Sequence, residues 1–209
     1  MLFRSDADCD EDFARNFASE LGIEVISRKI DVPAEAKVRK MGIEECARKM
    51  RYLEFDKIIS GRNDIGCIAV AHNADDNVET VLLNILRGSG TRGAAGIPPV
   101  RDNIVRPLIK VTKSEIIEAL ELCEIPYVID ATNFDNDYKR NYVRNEISPK
   151  LSEISSNFAT MIGRMSDNLR SDDEFIGRAA ARKLRRWRRP HSGSPHRGTW
   201  GCARYSRSR

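Results

Sequence analysis

The chain has 209 residues and a mass of 23.7 kDa, enough for one domain with a real core and a fragment of a second. With 41% hydrophobic and 32% charged residues it is neither disordered throughout nor membrane-embedded. No run approaches the roughly 18 apolar residues a spanning helix needs, and the start turns acidic too early for a signal peptide, so a cytoplasmic setting without membrane contact is expected.

Along the chain, residues 8–21 read as a helix: Asp8 and Glu11 have capping-box spacing, and Phe13, Phe17 and Leu21 form one stripe before Gly22. Residues 23–30 are a strand candidate centred on Val25 and Ile26. Residues 33–40 predict a short helix, and 43–59 a longer one with Ile43, Ala47, Met50 and Ile58 on one face. A loop over 60–66 leads to Cys67-Ile68-Ala69-Val70-Ala71, an unalternating apolar run that predicts a strand covered on both faces. Residues 75–87 predict a helix burying Val78, Leu82, Ile85 and Leu86. A glycine-rich loop over 88–96 follows, then an extended piece over 104–108. Thr112 and Glu115 cap a helix running to Cys123. Tyr127-Val128-Ile129 is a third strand candidate, and 139–151 and 155–186 predict helices separated near Pro149. Strands alternating with helices imply an α/β fold with a parallel sheet.

Charge divides the chain. From Phe175 onward there are ten Arg, one Lys and no acid, whereas residues 1–174 carry 24 basic and 31 acidic residues, a net −7. A shift this abrupt marks a boundary. Residues after about Arg186 lack apolar periodicity and are expected to add nothing to the fold. The five cysteines are at least 21 residues apart, which argues against a disulfide framework, a zinc ribbon or an iron–sulfur site.

The chemistry concentrates in residues 68–96. A strand ends at Ala71, His72 sits at its exit, and Asp75 and Asp76 open the next helix. Open α/β sheets bind ligands at the carboxyl ends of their strands. Glu79 lies one helical turn on from both aspartates. Three carboxylates this close repel one another, and bound Mg²⁺, a cationic substrate or a raised pKa would relieve them. Acids in a first turn also serve simply as caps. The run Arg87-Gly88-Ser89-Gly90-Thr91-Arg92-Gly93 offers backbone N–H groups and two guanidiniums to an anion, or is a helix stop with a flexible loop. Arg140 and Arg144 share a helix face and suit phosphates, or form a solvated charged face.

The run HNADDNVETVLLNILRGSGTRG resembles the signature of the tRNA(Ile)-lysidine synthases, within the PP-loop (N-type) ATP pyrophosphatases. The order of the other motifs fits as well. Arg4-Ser5-Asp6 with residues 8–13, Glu45-x-Ala47-Arg48-x-x-Arg51-Tyr52, Arg106-Pro107-Leu108 and Asn133-x-Asp135-x-x-Tyr138-x-Arg140-Asn141-x-x-Arg144 extend the resemblance over roughly residues 4–180. It implies an adenine-nucleotide-alpha-hydrolase-like core and a two-step ligation. ATP adenylates the C2 oxygen of the wobble cytidine of tRNA(Ile) with a CAU anticodon, and the amine of L-lysine displaces AMP. The modified base then reads A rather than G.

By that resemblance His72, Asp75, Asp76 and Glu79 are catalytic, with Asp75 and Asp76 as candidate Mg²⁺ ligands. Arg51, Arg87, Arg92, Asn133, Arg140, Asn141 and Arg144 hold substrate or phosphate, and a homodimer is a candidate assembly. The family's S-G-G-x-D-S pyrophosphate loop is not among the 209 residues. The core is therefore expected to lack its first strands, to bind ATP weakly and to turn over poorly, if at all. The expected division is residues 1–151 as the incomplete catalytic domain, 152–186 as a helical linker and 187–209 as a disordered basic tail. A thiolase-like PP-loop enzyme and a catalytically dead RNA-binding remnant are the rival readings.

Overall fold

The computed structural model describes residues 3–128 and 139–187, with side chains described from Asp8 onward and Arg186 excepted. Helix α1 (Phe3–Glu20) starts five residues earlier than the capping pattern suggests, and α2 (Val32–Arg39) follows a short connection. Asp31 caps α2 by accepting from the Ala34 N–H at 3.0 Å, and Pro33 stands in its first turn, where a missing N–H costs nothing. Helix α3 (Ile43–Gly61) leads to β1 (Ile68–Ala69), and α4 (Ala74–Leu86) runs straight from the end of that strand.

Residues 23–30 form no strand. They run beside α1 and are held by polar contacts: Ser27 donates to Glu11 at 2.7 Å and Lys29 to Asp8 at 2.9 Å. A strand exists only against a partner, and among the described residues none pairs with this one, so Ile23 is left 59% exposed. Tyr127 and Val128 likewise form no strand, and Ile129 lies outside the described residues.

Among the described residues the sheet has three short strands in the order β1-β3-β2. β1 pairs in parallel with β3 (Ile104–Val105), with Ile68 opposite Ile104. β3 pairs antiparallel with β2 (Val100–Arg101), so the sheet is mixed rather than wholly parallel. The hairpin turns at Asp102-Asn103, with Asp102 in the left-handed region at φ 53°; that dipeptide was the available signal for a strand the periodicity missed. β1 is not covered on both faces. Among the described residues Ile68 and Val70 are half-buried while Ala69 and Ala71 are exposed, so one face of the strand is left open.

Helix α4 is the hub. It buries Ala74, Asn77, Val78, Glu79, Val81 and Leu83, whereas Ile85 and Leu86, expected inside, are exposed. The reason is that α4 is contacted on two sides, by α9 (Phe158–Trp187) and by the segment after α7 (Lys139–Tyr142). Its buried surface is therefore two strips rather than one stripe, and its last turn overhangs the core. The face of α3 also differs from expectation: Cys46 is fully buried and Ile43 is exposed. Helix α5 (Thr91–Ala94) breaks the glycine-rich loop. Helix α6 (Lys113–Leu122) carries the expected box: Thr112 and Glu115 each accept from the other's backbone N–H.

After α7, residues Val143–Ile147 wind as a π-helical turn that passes into α8 (Ser148–Ile154). Pro149 opens α8 instead of separating helices, since a first-turn proline loses no hydrogen bond; the break falls at residues 155–157. No helix of the described residues is long and apolar enough to cross a membrane.

A buried polar strut fixes the loop after α5. Asn77 accepts from the Ile97 N–H at 2.8 Å, and its amide reaches Ser166 on α9 at 3.4 Å. Gly96, at φ 64°, lies against it, and a Cβ there would come within 2.8 Å of Val81 and closer still to Asn77. Gly96→Ala is therefore expected to lose about 1–3 kcal/mol through backbone strain alone, with the clash adding to it, measured by urea denaturation.

Candidate active site

The strand-to-helix junction at β1 and α4 assembles the expected residues. Asn73 is the N-cap: its side chain accepts from the Asp76 N–H at 3.0 Å, and Asp76 Oδ2 accepts from the Asn73 N–H at 3.0 Å. Asp76 is thus a cap, yet its other oxygen takes the Arg144 guanidinium at 3.1 Å. Asp75 points to a different neighbour. Its Oδ2 accepts from the backbone N–H of Lys113 at 2.6 Å and docks the start of α6 onto α4.

Glu79 is the centre of the cluster and only 1% exposed. Arg144 Nε donates to its Oε1 at 2.6 Å, and Arg140 Nε stands 3.5 Å from its Oε2. Arg140 also faces Glu44 of α3 at 3.6 Å. Carboxylates and guanidiniums therefore alternate from Asp76 through Arg144, Glu79 and Arg140 to Glu44. The repulsion expected among the acids is relieved by these two arginines. Burial pushes the Glu79 carboxyl above the usual carboxylate range, and the Arg144 hydrogen bond opposes that push.

His72 is half-buried, and its Nδ1 has no hydrogen-bond partner among the described residues. Burial holds its pKa below the ordinary histidine value, with Asp76 pulling the other way. The ring faces an open hollow of about 460 Å³ lined by Arg48, Arg51, Tyr52, Phe55, Asp76 and the small side chains of β1. Arg48 sits over the Tyr52 ring at 5.3 Å, and Tyr52 meets Phe55 edge-on at 5.9 Å. Arg48 also lines a second, cationic groove of about 430 Å³ with Arg87, Lys139, Arg140, Thr80 and Glu44. The two hollows meet at Arg48.

A histidine with a lowered folded pKa is protonated more readily in the unfolded chain. Stability is therefore lost as pH falls from the ordinary value of 6.5 toward the folded pKa, and regained as pH rises through that window. His72→Gln is expected to flatten this part of the profile. Urea midpoints at pH 5 and pH 7.5, compared for parent and variant, check it; equal slopes would remove His72 as the titrating group.

Of the predicted site residues, His72, Asp75, Asp76, Glu79, Arg51, Arg87, Arg140 and Arg144 converge on the N-terminal turns of α4 and the two hollows. Asn141 is half-buried on α7. Arg92 is exposed on α5 and lines neither hollow. Asn133 lies outside the described residues. Part of the backbone of the glycine-rich loop is already committed to hydrogen bonds within the chain. The N–H groups of Arg87, Gly88 and Ser89 close the end of α4, those of Gly93 and Ala94 bond to Gly90, and Asn84 holds the Gly93 carbonyl at 2.9 Å. Two arginines near the site were not singled out, Arg48 in the hollows and Arg106 in the structure beneath them. Arg48 was visible in the Glu45-to-Tyr52 motif. Arg106 is buried and ties its guanidinium to the Pro98 carbonyl at 2.7 Å, and the signal was its place in Arg106-Pro107-Leu108.

Among the described residues, no group of three or more His, Cys, Asp or Glu side chains is arranged to hold a metal. Asp75 and Asp76, the candidate Mg²⁺ ligands, already spend three of their four oxygens on backbone N–H groups and Arg144. The donor set does not fit the ion in this arrangement.

Comparison with known proteins shows the family. Residues 2–151 match the model of the PP-loop domain. The chain is 39% identical over 164 residues to a tRNA(Ile)-lysidine synthase of Thermosipho africanus, covering 78% of this chain and 38% of that protein. It is 38% identical over 183 residues to the enzyme of the same name from Clostridium tetani, covering 86% of this chain and 38% of that protein. The chain thus spans about 38% of the length of these curated relatives. Among solved structures, the U34-tRNA thiolase NcsA from Methanococcus maripaludis, described with its [4Fe-4S] cluster, superposes with a TM-score of 0.53 at 19% identity. That superposition covers 76% of this chain and 56% of the thiolase, and the likeness is one of fold. The domain match runs through β1, α4 and the arginines that close on Glu79, and on that ground the chain belongs to the PP-loop family.

Proposed function

We propose that this site serves lysidine formation. ATP adenylates the C2 oxygen of a tRNA wobble cytidine with release of pyrophosphate, and the amine of L-lysine then displaces AMP. What supports the reading is the buried Glu79, clamped by Arg144 beside Asp76 and His72 at a strand end, in a chain similar to named lysidine synthases. In this reading His72, uncharged near neutrality, orients the base and accepts a proton from the attacking amine. Asp76 and Glu79 set the position of Arg144, whose guanidinium, with Arg51 and Arg140, stabilises phosphate charge as pyrophosphate leaves. Asp75 docks α6 and adds negative charge toward the lysine ammonium.

Arg48 and Tyr52 offer a stacking wall to a base turned out of the anticodon loop. Arg87, Arg92, Asn133 and Asn141 are proposed on the RNA side. The substrates are a tRNA(Ile) with a CAU anticodon, ATP and lysine, in a cytoplasmic setting, with a homodimer as the proposed assembly. No step is assigned to Mg²⁺, whose ligands the acids do not supply as arranged. The division at residues 151 and 186 is part of the same proposal. The test is a lysine-incorporation assay on a CAU-anticodon transcript, with lysidine read by mass spectrometry of the nucleosides. The protein assayed joins an S-G-G-x-D-S-bearing segment of a relative upstream of the 209 residues. Absence of lysidine from a folded fusion would sink the proposal.

A further inference from the structure

The first half of α9 is fastened to the core. Ser166 is buried, and Arg170 donates to the carbonyls of Ala95 at 2.7 Å and Ile97 at 3.1 Å. Thr91 reaches Asp173 at 3.4 Å. Beyond Asp173 the helix changes character. Phe175, Ile176, Arg178, Arg182, Lys183, Leu184, Arg185 and Trp187 are all exposed, and from Phe175 to Trp187 there are four Arg, one Lys and no acid. Among the described residues a single ion pair, Arg178 to Glu174 at 3.9 Å, touches this stretch, and both of its side chains are exposed.

We propose that this second half of α9 is a phosphate rail that holds RNA backbone outside the reaction site. The inference rests on the tRNA substrate proposed above and adds a second footprint to it. At about 100° per residue, Arg178, Arg182 and Arg185 fall within about 60° of one another on one side of the helix. At about 1.5 Å rise per residue the first and last are about 10 Å apart, so they can engage successive phosphates of one strand. The planar forks of arginine match phosphate oxygens two at a time. The rail leaves the core beside Thr91 of α5, the helix that also carries exposed Arg92.

An anionic membrane surface is the competing occupant of a basic amphipathic helix. The opposite face here holds only Ile176, Leu184 and Trp187 as large apolar residues, with Ala180 between them, while Phe175 lies on the arginine side. That stripe is too thin to insert into lipid with useful affinity.

The test is fluorescence anisotropy with the full chain, using a CAU-anticodon tRNA transcript and, separately, its isolated anticodon stem-loop. The triple variant Arg178→Ala, Arg182→Ala, Arg185→Ala is expected to weaken tRNA binding roughly tenfold or more. It should also lower the steepness of log affinity against log salt by about 2–3, one phosphate contact per arginine. The isolated stem-loop, which offers fewer phosphates, should lose less affinity than the full tRNA does. Circular dichroism should show unchanged helix content, since alanine favours the helix. Parent-like affinity and salt slope in the variant would overturn the rail. So would a parent chain that binds phosphatidylglycerol vesicles and no tRNA. If lysidine formation fails in the incorporation assay while the triple variant still loses tRNA affinity, the activity is refuted and the rail stands.

Discussion

Replacing Arg144 by methionine is expected to destabilise the protein by about 3–5 kcal/mol, the cost of leaving a buried charge without its partner. Glu79 has almost no contact with solvent, and Arg144 makes its short hydrogen bond at 2.6 Å. Arg140, at 3.5 Å and without a hydrogen bond to the carboxylate, replaces only part of that interaction. The loss should depend on pH. Burial already raises the Glu79 pKa, and removing Arg144 takes away the leading opposing influence. The folded variant then holds a proton that the unfolded chain releases at an ordinary glutamate pKa. Its stability is greatest below that ordinary value and falls as pH rises toward the raised one. The double variant Arg144→Met, Glu79→Gln should recover most of the loss, because neither charge remains buried alone. Urea denaturation of parent, single and double variants at pH 5 and pH 7.5 measures this. A single variant within about 1 kcal/mol of the parent would mean that the pair contributes no more than an exposed salt bridge does.

The same pair shows where sequence reading reaches its limit. Glu79 and Arg144 each stood out locally, one from its spacing to the aspartates and the other from its spacing to Arg140. Their contact spans 65 positions, and no local pattern encodes it. The π-helical turn at Val143–Ile147, which carries Arg144, is equally silent in sequence, since its residues would suit an α-helix. Helix α6 was legible to the residue because a capping box is a local contract between Thr112 and Glu115. The strand over residues 23–30 was misread for the opposite reason. Its apolar centre suits a strand, but strand structure belongs to a pair. Helix α4 misled in a third way: a single apolar stripe presumes one buried face, and a helix packed on two sides buries polar Asn77 and Glu79 as well.

Asp76→Asn is expected to lower lysidine formation by at least about 100-fold, the usual scale for removing one preorganised electrostatic contact at a reacting centre. Asp75→Asn is expected to lose far less. Both acids sit in the first turn of α4, so sequence alone treats them alike. The structure separates them. Asp75 spends its hydrogen bond on the Lys113 N–H, and an asparagine oxygen can accept that same bond. Asp76 faces inward, with one oxygen on the Asn73 N–H and the other on Arg144. Asparagine there keeps the cap through its oxygen but turns an amide toward a guanidinium, where two donors oppose each other. Arg144 then loses one of the anions that fix its position, although Glu79 still holds and neutralises it. If Asp76 were a cap and nothing more, the change would cost about 0.5–2 kcal/mol at most and leave turnover intact. Thermal melts run beside the lysine-incorporation assay on the S-G-G-x-D-S fusion separate the two cases. A melting point near the parent with turnover lost assigns Asp76 to the reaction. Full turnover in the folded Asp76→Asn variant returns it to the helix as a cap and assigns the holding of Arg144, among the described residues, to Glu79.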